Sequence, residues 1–212
     1  MRMMVFGATG RTGLPLVRQA ISADHSVIVF VRDAVRLPND LREHVTIFEG
    51  DVMNPEDVRS AFERSEVDAV VSVLGPAKGS PDDLMAKAAD AILSGMSAHD
   101  VSRLVWMTGA GVPGDGDKPK LMNHVIKGLL TVISGKVLKQ SEKAAEAIRE
   151  SGLEWTIVRV PMLVDGEASG AYRVGRVGVG TGAKLIRADG ASYILRVLEE
   201  NKEVKKSPVV SN

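Results

Sequence analysis

A glycine-containing turn near the N-terminus limits most strongly what this chain can fold into. Gly7, Gly10 and Gly13 follow a short apolar run at residues 3–6, and apolar residues then recur at helical spacing over residues 14–21. A strand that reverses into a helix here needs an unusual backbone angle, close approach of a pyrophosphate and close helix–strand packing, and glycine meets all three needs. The helix N-terminus would hold the phosphate. The pattern predicts a dinucleotide-binding turn, and the alternative is a glycine turn without a ligand. Its candidate cofactor-binding residues are Gly7, Thr9, Gly10, Arg11, Thr12 and Gly13.

Composition narrows the functional classes. The chain has 212 residues, enough for one α/β domain with a substantial core. Cysteine is absent, which excludes disulfides, thiolate metal sites and cysteine nucleophiles, and we predict no metal site. Lys+Arg and Asp+Glu both total 27, so we expect neither a nucleic-acid nor a membrane partner. No apolar run approaches the ~20 residues that cross a bilayer, and we expect a cytoplasmic monomer or homodimer.

Short apolar runs alternate with helical patterns along the rest of the chain. The run at Ser26–Val31 is continuous and β-branched, as expected for a parallel strand buried on both faces. Further strands are predicted at residues 45–48, 69–73, 104–107 and 156–160, and helices at residues 55–62, 82–98 and 137–151. Such alternation produces right-handed crossovers. It predicts an α/β fold with a doubly wound parallel sheet, in a single domain over residues 1–212.

The end of the second strand bears on the choice of nucleotide. An acidic residue there accepts hydrogen bonds from the adenosine ribose of NAD, whereas an arginine accommodates the 2′-phosphate of NADP. This chain has Arg32 followed by Asp33, and Arg11 adds a second guanidinium near the same place. We therefore predict NADP (NADPH) as the preferred cofactor, with NAD possible. Alternatively, Arg32 pairs with Asp33, Asp51 or water, and Arg36 is a less certain third candidate.

Several segments carry a family resemblance. Four motifs resemble those of the atypical short-chain dehydrogenase/reductases. They are GATGRTG at residues 7–13, GDV at 50–52, TIVRVP at 156–161 and KLIRADGA at 184–191. Within that group, the chain is most similar to the NAD(P)H-binding proteins related to flavin reductase/biliverdin reductase B and to NmrA-like regulators. The resemblance covers nearly the whole chain and implies a Rossmann fold. It implies a cofactor-binding core over residues 1–160 and C-terminal substrate-side elements over residues 161–212.

The same resemblance implies further cofactor contacts at the ends of the strands. These are Asp51 and Val52 along the adenine, Leu74 and Gly75 beneath the ribose and pyrophosphate, and Thr108 and Pro161 beside the nicotinamide. Two alternatives from the residues themselves stay open. Asp51 can instead cap the next helix, and Thr108 can instead satisfy backbone groups at a strand end.

The helix at residues 137–151 is where the family resemblance implies a Tyr-x-x-x-Lys pair. The corresponding residues are Lys139 and Lys143, so the tyrosine is absent. We expect Lys143 to contact the nicotinamide ribose and, with Thr108, to be the catalytic candidate; Lys139 can equally be solvated. The chain has two tyrosines, Tyr172 and Tyr193, and we expect neither to act as the catalytic acid.

Two segments after the fifth strand have distinctive composition. Residues 109–119 are rich in glycine and aspartate, and we expect this loop to move on ligand binding. Residues 121–133 carry an apolar stripe at helical spacing, which predicts core packing, a pocket wall or a subunit contact.

We expect mainly structural elements in the C-terminal region. The sequence pattern indicates a hairpin at residues 172–179 and an edge strand at residues 209–210. Arg187 and Asp189 open a helix, where we expect them to act as an ion pair and a helix cap.

Two functions fit these observations. One is an NAD(P)H-dependent reductase that passes hydride directly to a planar small-molecule acceptor such as a flavin, quinone or tetrapyrrole, which would need no tyrosine. The other is an NADP-binding redox-sensing regulator without turnover. The low aromatic content of 4% weakens the case for a stacking pocket, but the reductase is the favoured interpretation.

Overall fold

A computed structural model describes residues 1–77, 79–118 and 121–212, with side chains described outside residues 121–134. The strands of these residues are β1 (Arg2–Phe6), β2 (Ser26–Val31), β3 (Val45–Glu49), β4 (Ala69–Ser72), β5 (Arg103–Gly109), β6 (Glu154–Val160), β7 (Met162–Val164), β8 (Arg173–Gly175), β9 (Lys184–Ile186) and β10 (Val209–Ser211). The α-helices are α1 (Gly13–Ser22), α2 (Asn39–Arg42), α3 (Pro55–Glu63), α4 (Leu84–Ala98), α5 (Leu121–Glu150) and α6 (Arg187–Glu199).

The main sheet has the strand order β3-β2-β1-β4-β5-β6-β10-β8. All neighbouring pairs from β3 through β6 are parallel. Strands β2 and β3 follow β1 on one side of the sheet, and strands β4 to β6 then follow on the other side of β1. The strand order therefore reverses between β1 and β4. In doubly wound sheets a crevice opens at such a reversal, beyond the carboxyl ends of the strands. The predicted doubly wound Rossmann-like α/β fold is confirmed.

Strand β2 shows why the sheet needs helices on both faces. Val27 and Val29 pack into one apolar cluster with residues of α1 and α6. Ile28 and Phe30 point to the opposite face and pack into a second cluster with residues of α3 and α4. Full burial of each such side chain contributes about 1.5–3 kcal/mol. The continuous apolar run therefore produces a strand that is buried on both sides, as predicted.

Helix α5 is longer than the sequence pattern indicates. It runs without interruption from Leu121 to Glu150, so the predicted segments at residues 121–133 and 137–151 belong to one helix. The apolar stripe of the first segment lies outside the residues whose side chains are described. No helix in the described ranges is both long and apolar enough to cross a membrane.

The C-terminal strands differ from the prediction. β10 lies between β6 and β8, so it is an interior strand, and β8 forms the edge. The predicted hairpin at residues 172–179 is reduced to a tight turn in which Arg176 and Val179 exchange two backbone hydrogen bonds. β8 pairs with the distant β10, since Val174 is opposite Val210. The pairing of such short strands depends on contacts far along the chain, which local pattern does not encode.

Candidate functional site

The glycine turn between β1 and α1 has the geometry that its sequence predicts. Gly7 has a φ of 85°, and an added Cβ there would lie 2.9 Å from the carbonyl carbon of Val73. An added Cβ at Gly13 would lie 2.1 Å from the carbonyl oxygen of Gly7. Gly10 is different, because its φ is not positive and its nearest Cβ neighbour would be at 3.1 Å. Chain geometry thus requires glycine at positions 7 and 13, whereas the exposed Gly10 leaves room for a ligand.

The N-terminus of α1 offers free donors beside this turn. The N–H group of Gly10 bonds to the oxygen of Gly7 at 3.0 Å, and that of Leu14 bonds to the oxygen of Gly10 at 3.0 Å. Among the described residues, nothing accepts from the N–H groups of Arg11, Thr12 and Gly13. No acidic residue lies in the first turn of α1. Free N–H groups at a helix N-terminus attract an anion, so the turn fits a pyrophosphate.

Arg32 lies at the end of β2 with its side chain exposed. The alternative pairing with Asp33 or Asp51 is not observed; Asp33 Oδ1 instead accepts from the N–H of Val35 at 2.9 Å. Arg11 is also exposed, and its Nη1 is 3.8 Å from Asp165 Oδ2. Both guanidiniums remain available to a phosphate at this end of the sheet.

Asp51 and Val52 follow β3. Asp51 Oδ1 accepts from the N–H of Met53 at 2.9 Å, which forms a local turn. The cap of α3 is instead Asn54, whose Oδ1 accepts from the N–H of Glu56 at 3.2 Å. Val52 is 5% exposed and packs in the core. The structure therefore leaves the Asp51 carboxylate, but little of the Val52 side chain, accessible to an adenine.

A cavity of about 350 Å³ opens beyond the carboxyl ends of β4, β5 and β6. It brings together four predicted site residues that are far apart in sequence, namely Leu74, Gly75, Thr108 and Pro161. Its other lining residues are Pro76, Met107, Gly109, Gly111, Val112, Val137, Leu138, Ser141, Val160, Leu163 and Arg187. The walls are largely apolar, as in small-molecule sites. The convergence of strand ends predicted from the topology is therefore present.

Helix α5 presents a different face to this cavity than the sequence motif indicates. Val137, Leu138 and Ser141 line the cavity, whereas Lys139 and Lys143 are exposed and lie outside its lining. Because an α-helix turns about 100° per residue, Lys143 lies roughly 200° around the axis from Ser141. The structure thus places Lys143 outside the lining of this cavity, and its contact with a nicotinamide ribose stays a prediction. The face of α5 that turns inward is indicated instead by a stripe at helical spacing, formed by Leu138, Ser141, Ala145 and Ile148.

Two hydroxyl groups belong to the cavity wall. Thr108 is 7% exposed at the end of β5, and Ser141 is 8% exposed on α5. Within the described part of the chain neither hydroxyl has a hydrogen-bond partner, so the alternative backbone role of Thr108 is not observed. Each can donate to or accept from a bound molecule. Sequence reasoning identified Thr108 but missed Ser141.

The glycine-rich loop after β5 is held by an ion pair. Arg159 is fully buried, and its Nη1 and Nη2 lie 2.6 Å and 2.9 Å from the Asp117 carboxylate oxygens. Asp117 also accepts from the N–H groups of Gly114 and Val177. Burial raises the pKa of Asp117, but the hydrogen bonds and charge of Arg159 and the backbone donors lower it, and the net pKa lies below its ordinary value. The part of this loop around Asp117 is therefore anchored, whereas the sequence predicts a loop that moves.

Arg187 and Asp189 do not form the predicted pair and cap. Arg187 lines the cavity, its side chain is 9% exposed, and its Nη1 lies 2.7 Å from Asp165 Oδ1. Asp189 instead accepts hydrogen bonds from Ser169 Oγ, Gly170 N and Asn212 Nδ2. Helix α6 has no side-chain cap. Asp189 thus links the loop at residues 169–170 to the C-terminal Asn212. Arg187 is part of the cavity wall.

The two tyrosines lie away from the cavity lining. Tyr193 is 1% exposed and contacts Tyr172 edge to face, with 5.6 Å between the ring centroids. Arg196 lies over both rings. Burial raises the pKa of both hydroxyl groups. Neither tyrosine lines the cavity, and the expectation that neither acts as the catalytic acid stays a prediction.

Two known proteins are similar to this chain in sequence. The uncharacterized protein YwnB of Bacillus subtilis is 27% identical over 202 residues, which cover 92% of this chain and 86% of that protein. The sterol-4-alpha-carboxylate 3-dehydrogenase of Candida albicans is 28% identical over 125 residues, covering 54% of this chain and 36% of that protein.

Two solved structures share the fold. A short-chain dehydrogenase/reductase from Veillonella parvula in complex with NADP has a TM-score of 0.81 at 20% identity, covering 100% of this chain and 94% of that one. The anaerobillin reductase ChuY from Escherichia coli O157:H7 has a TM-score of 0.81 at 19% identity, covering 100% of this chain and 97% of that one.

A model of the NAD(P)H-binding family matches residues 7–201. The match begins at the first glycine of the turn and includes every described element that lines the cavity. The chain belongs to the NAD(P)H-binding family.

Proposed function

We propose that the protein is an NADPH-dependent oxidoreductase that reduces a planar acceptor such as a flavin, quinone or tetrapyrrole. The observation that carries the proposal is the cavity of about 350 Å³, because it adjoins the strand ends where a nicotinamide lies in this fold. Its volume falls in the range of small-molecule sites. The anaerobillin reductase among the proteins with the same fold adds support for an acceptor of this kind.

A reduced nicotinamide held in this site would supply hydride to the acceptor, and water would supply the proton that completes the reduction. The chain's residues position and shield the reaction. Gly75 and Pro161 would border the nicotinamide, and Met107 and Val112 exclude water from one wall. The Thr108 and Ser141 hydroxyl groups orient the acceptor through hydrogen bonds. Lys143 has no part in this proposal, because it lies outside the cavity lining.

The preference for NADPH over NADH rests on Arg11 and Arg32. Both are exposed at the end of the sheet where an adenosine ribose binds in this fold, and neither forms a close ion pair in the described part of the chain. Planar guanidinium groups match the oxygens of a 2′-phosphate. NADH lacks this phosphate, so both arginines favour NADPH.

The division of the chain into two functional parts is also proposed. Residues 1–160 hold the cofactor, and residues 161–212 contribute to the acceptor side. Leu163 and Arg187 support this division, since both come from the C-terminal part and line the cavity.

A regulator that binds NADP without turnover is the second candidate. It is favoured by one observation: no aromatic side chain occurs among the described residues that line the cavity. Stacking of an acceptor would then depend on the nicotinamide alone. A regulator would bind NADPH and oxidise it no faster in the presence of acceptors than in their absence.

The two candidates are separated by NADPH oxidation. Purified protein is mixed with NADPH and, in turn, flavin mononucleotide, menadione and biliverdin, with the Gly10→Val variant as the control that lacks the cofactor site. Reduction of at least one acceptor by the wild type alone supports the reductase. Tight NADPH binding without oxidation in any mixture would contradict it.

A further inference from the structure

Arg187 is a buried cation in a cavity whose walls are largely apolar. Its side chain is 9% exposed, and the wall around it includes Met107, Val112, Leu138 and Leu163. A buried charge is costly unless it is paired. A need for an ion pair alone would be met by a largely shielded carboxylate, as Asp117, 17% exposed, meets it for Arg159. Arg187 has no such partner.

The partner of Arg187 is an exposed aspartate. Asp165 is 71% exposed, and only its Oδ1 contacts the guanidinium, at 2.7 Å from Nη1. Within the described residues, Nε and Nη2 of Arg187 donate no hydrogen bond. Neither of these two nitrogen atoms is fully shielded from solvent. Each of these two donors therefore keeps some accessible surface, and Arg187 lines the cavity. Asp165 Oδ2 also lies 3.8 Å from Nη1 of Arg11, and this exposed carboxylate can turn to water when another anion pairs with Arg187.

We propose that Arg187 binds an anionic substituent of the acceptor, a carboxylate or phosphate carried on an apolar planar body. The acceptor anion takes Nη1 and Nη2 of the guanidinium and displaces Asp165 from Nη1 when it binds. The guanidinium geometry suits such two-point binding. The apolar walls exclude water from the pair and strengthen it. This inference rests on the proposed reductase function, because it assigns one substituent of the molecule that is reduced.

The test compares pairs of acceptors in which one member carries an anionic group that the other lacks. Flavin mononucleotide is paired with riboflavin, and biliverdin with its dimethyl ester. Binding is titrated to protein saturated with oxidised NADP, so that no turnover occurs. A charged hydrogen-bond pair is worth about 1.5–3 kcal/mol, so we expect the anionic member of at least one pair to bind the wild type ~10-fold or more tightly than its neutral partner.

The variants assign that preference to Arg187. Arg187→Gln should remove it by weakening the anionic member alone, and Arg187→Lys should keep part of it. Asp165→Asn should strengthen binding of the anionic member, because the competing carboxylate is gone. Circular dichroism checks that each variant is folded. Loss in the flavin pair identifies a phosphate, and loss in the bile-pigment pair identifies a carboxylate.

Three results would overturn the inference: an unchanged preference in Arg187→Gln, no binding of any probe to the wild type, or an equal loss of NADPH affinity in Arg187→Gln. The last result would place Arg187 on the cofactor. NADPH oxidation is measured in parallel and separates the two proposals. Binding that depends on Arg187, without reduction of any probe, would contradict the reductase proposal and support the anion site. Reduction of the neutral probes with no effect of Arg187→Gln would support the reductase proposal and contradict the anion site.

Discussion

Arg159 on β6 and Asp117 in the loop after β5 form a two-point ion pair across the back of the cavity wall, with N–O distances of 2.6 Å and 2.9 Å. Arg159 Nη1 also donates to the oxygen of Val112, a cavity residue, at 3.1 Å. An added Cβ at Gly114 would lie 2.4 Å from Arg159 Cζ. The pair therefore holds the loop against the sheet and fixes one wall of the site.

Removing Asp117 should destabilise the fold strongly. Arg159 has 0% of its side chain exposed, so Asp117→Ala leaves its charge buried without a carboxylate. Loss of one partner of a buried pair costs about 3–5 kcal/mol. Urea unfolding measures the change, and the exposed neighbour provides a matched control, since Asp115→Ala should cost less than about 0.5 kcal/mol. Equal effects of the two substitutions would show that the ion pair contributes nothing.

The same pair predicts a pH dependence. The pKa of Asp117 is lowered in the folded protein, so its stabilisation is complete above the unfolded value of about 4 and is lost as the pH falls through the folded pKa. The free energy of unfolding of the wild type should exceed that of Asp117→Asn most at neutral pH. The difference should shrink in acid. A difference that stays constant from neutral pH to about pH 3 would mean that Asp117 does not titrate with folding.

Arg32→Gln should weaken NADPH binding and leave NADH binding nearly unchanged. The substitution removes a charged donor for the 2′-phosphate, which at an exposed site corresponds to a loss of about tenfold. Arg173→Gln is the control, because Arg173 is exposed on the edge strand β8. Titration of both nucleotides measures the ratio. An NADPH preference that survives Arg32→Gln, or that falls equally in Arg173→Gln, would refute the assignment.

Gly10→Val should abolish nucleotide binding in a folded protein. Gly10 has no positive φ, and an added Cβ would lie 3.1 Å from the oxygen of Gly7, a tight contact that a shift of a few tenths of an ångström relieves. The branched side chain would instead stand where the pyrophosphate approaches. Gly13→Val is the contrasting variant, because its Cβ would meet the oxygen of Gly7 at 2.1 Å and should disrupt the turn. Circular dichroism and an NADPH titration distinguish loss of binding from loss of fold; retained binding in Gly10→Val would contradict the proposed turn.

The sheet and the glycine turn could be predicted because each is encoded locally. Ser26–Val31 is apolar without interruption, and the predicted bounds are the observed ones. The demands on Gly7 and Gly13 follow from a tight strand-to-helix reversal, whatever the rest of the chain does.

The parts that sequence reasoning missed depend on contacts far along the chain. Arg159 and Asp117 are 42 residues apart, and Arg187 and Asp165 are 22 apart. Nothing local indicates which carboxylate each arginine meets. On α5 the family motif indicates Lys143, whereas the apolar stripe that includes Leu138 and Ala145 indicates that the face with Lys143 is turned to solvent, where the structure has it.

Blocking the cavity tests the central claim most directly. Val137→Trp would fill the acceptor space from α5, while Lys139→Trp places the same side chain on the exposed face of the same helix. The measurement is NADPH oxidation with the best acceptor of the panel, together with NADPH affinity. The account predicts that Val137→Trp loses oxidation and keeps NADPH affinity, and that Lys139→Trp keeps both. Full oxidation by a folded Val137→Trp variant would show that the acceptor is reduced elsewhere and would contradict the account.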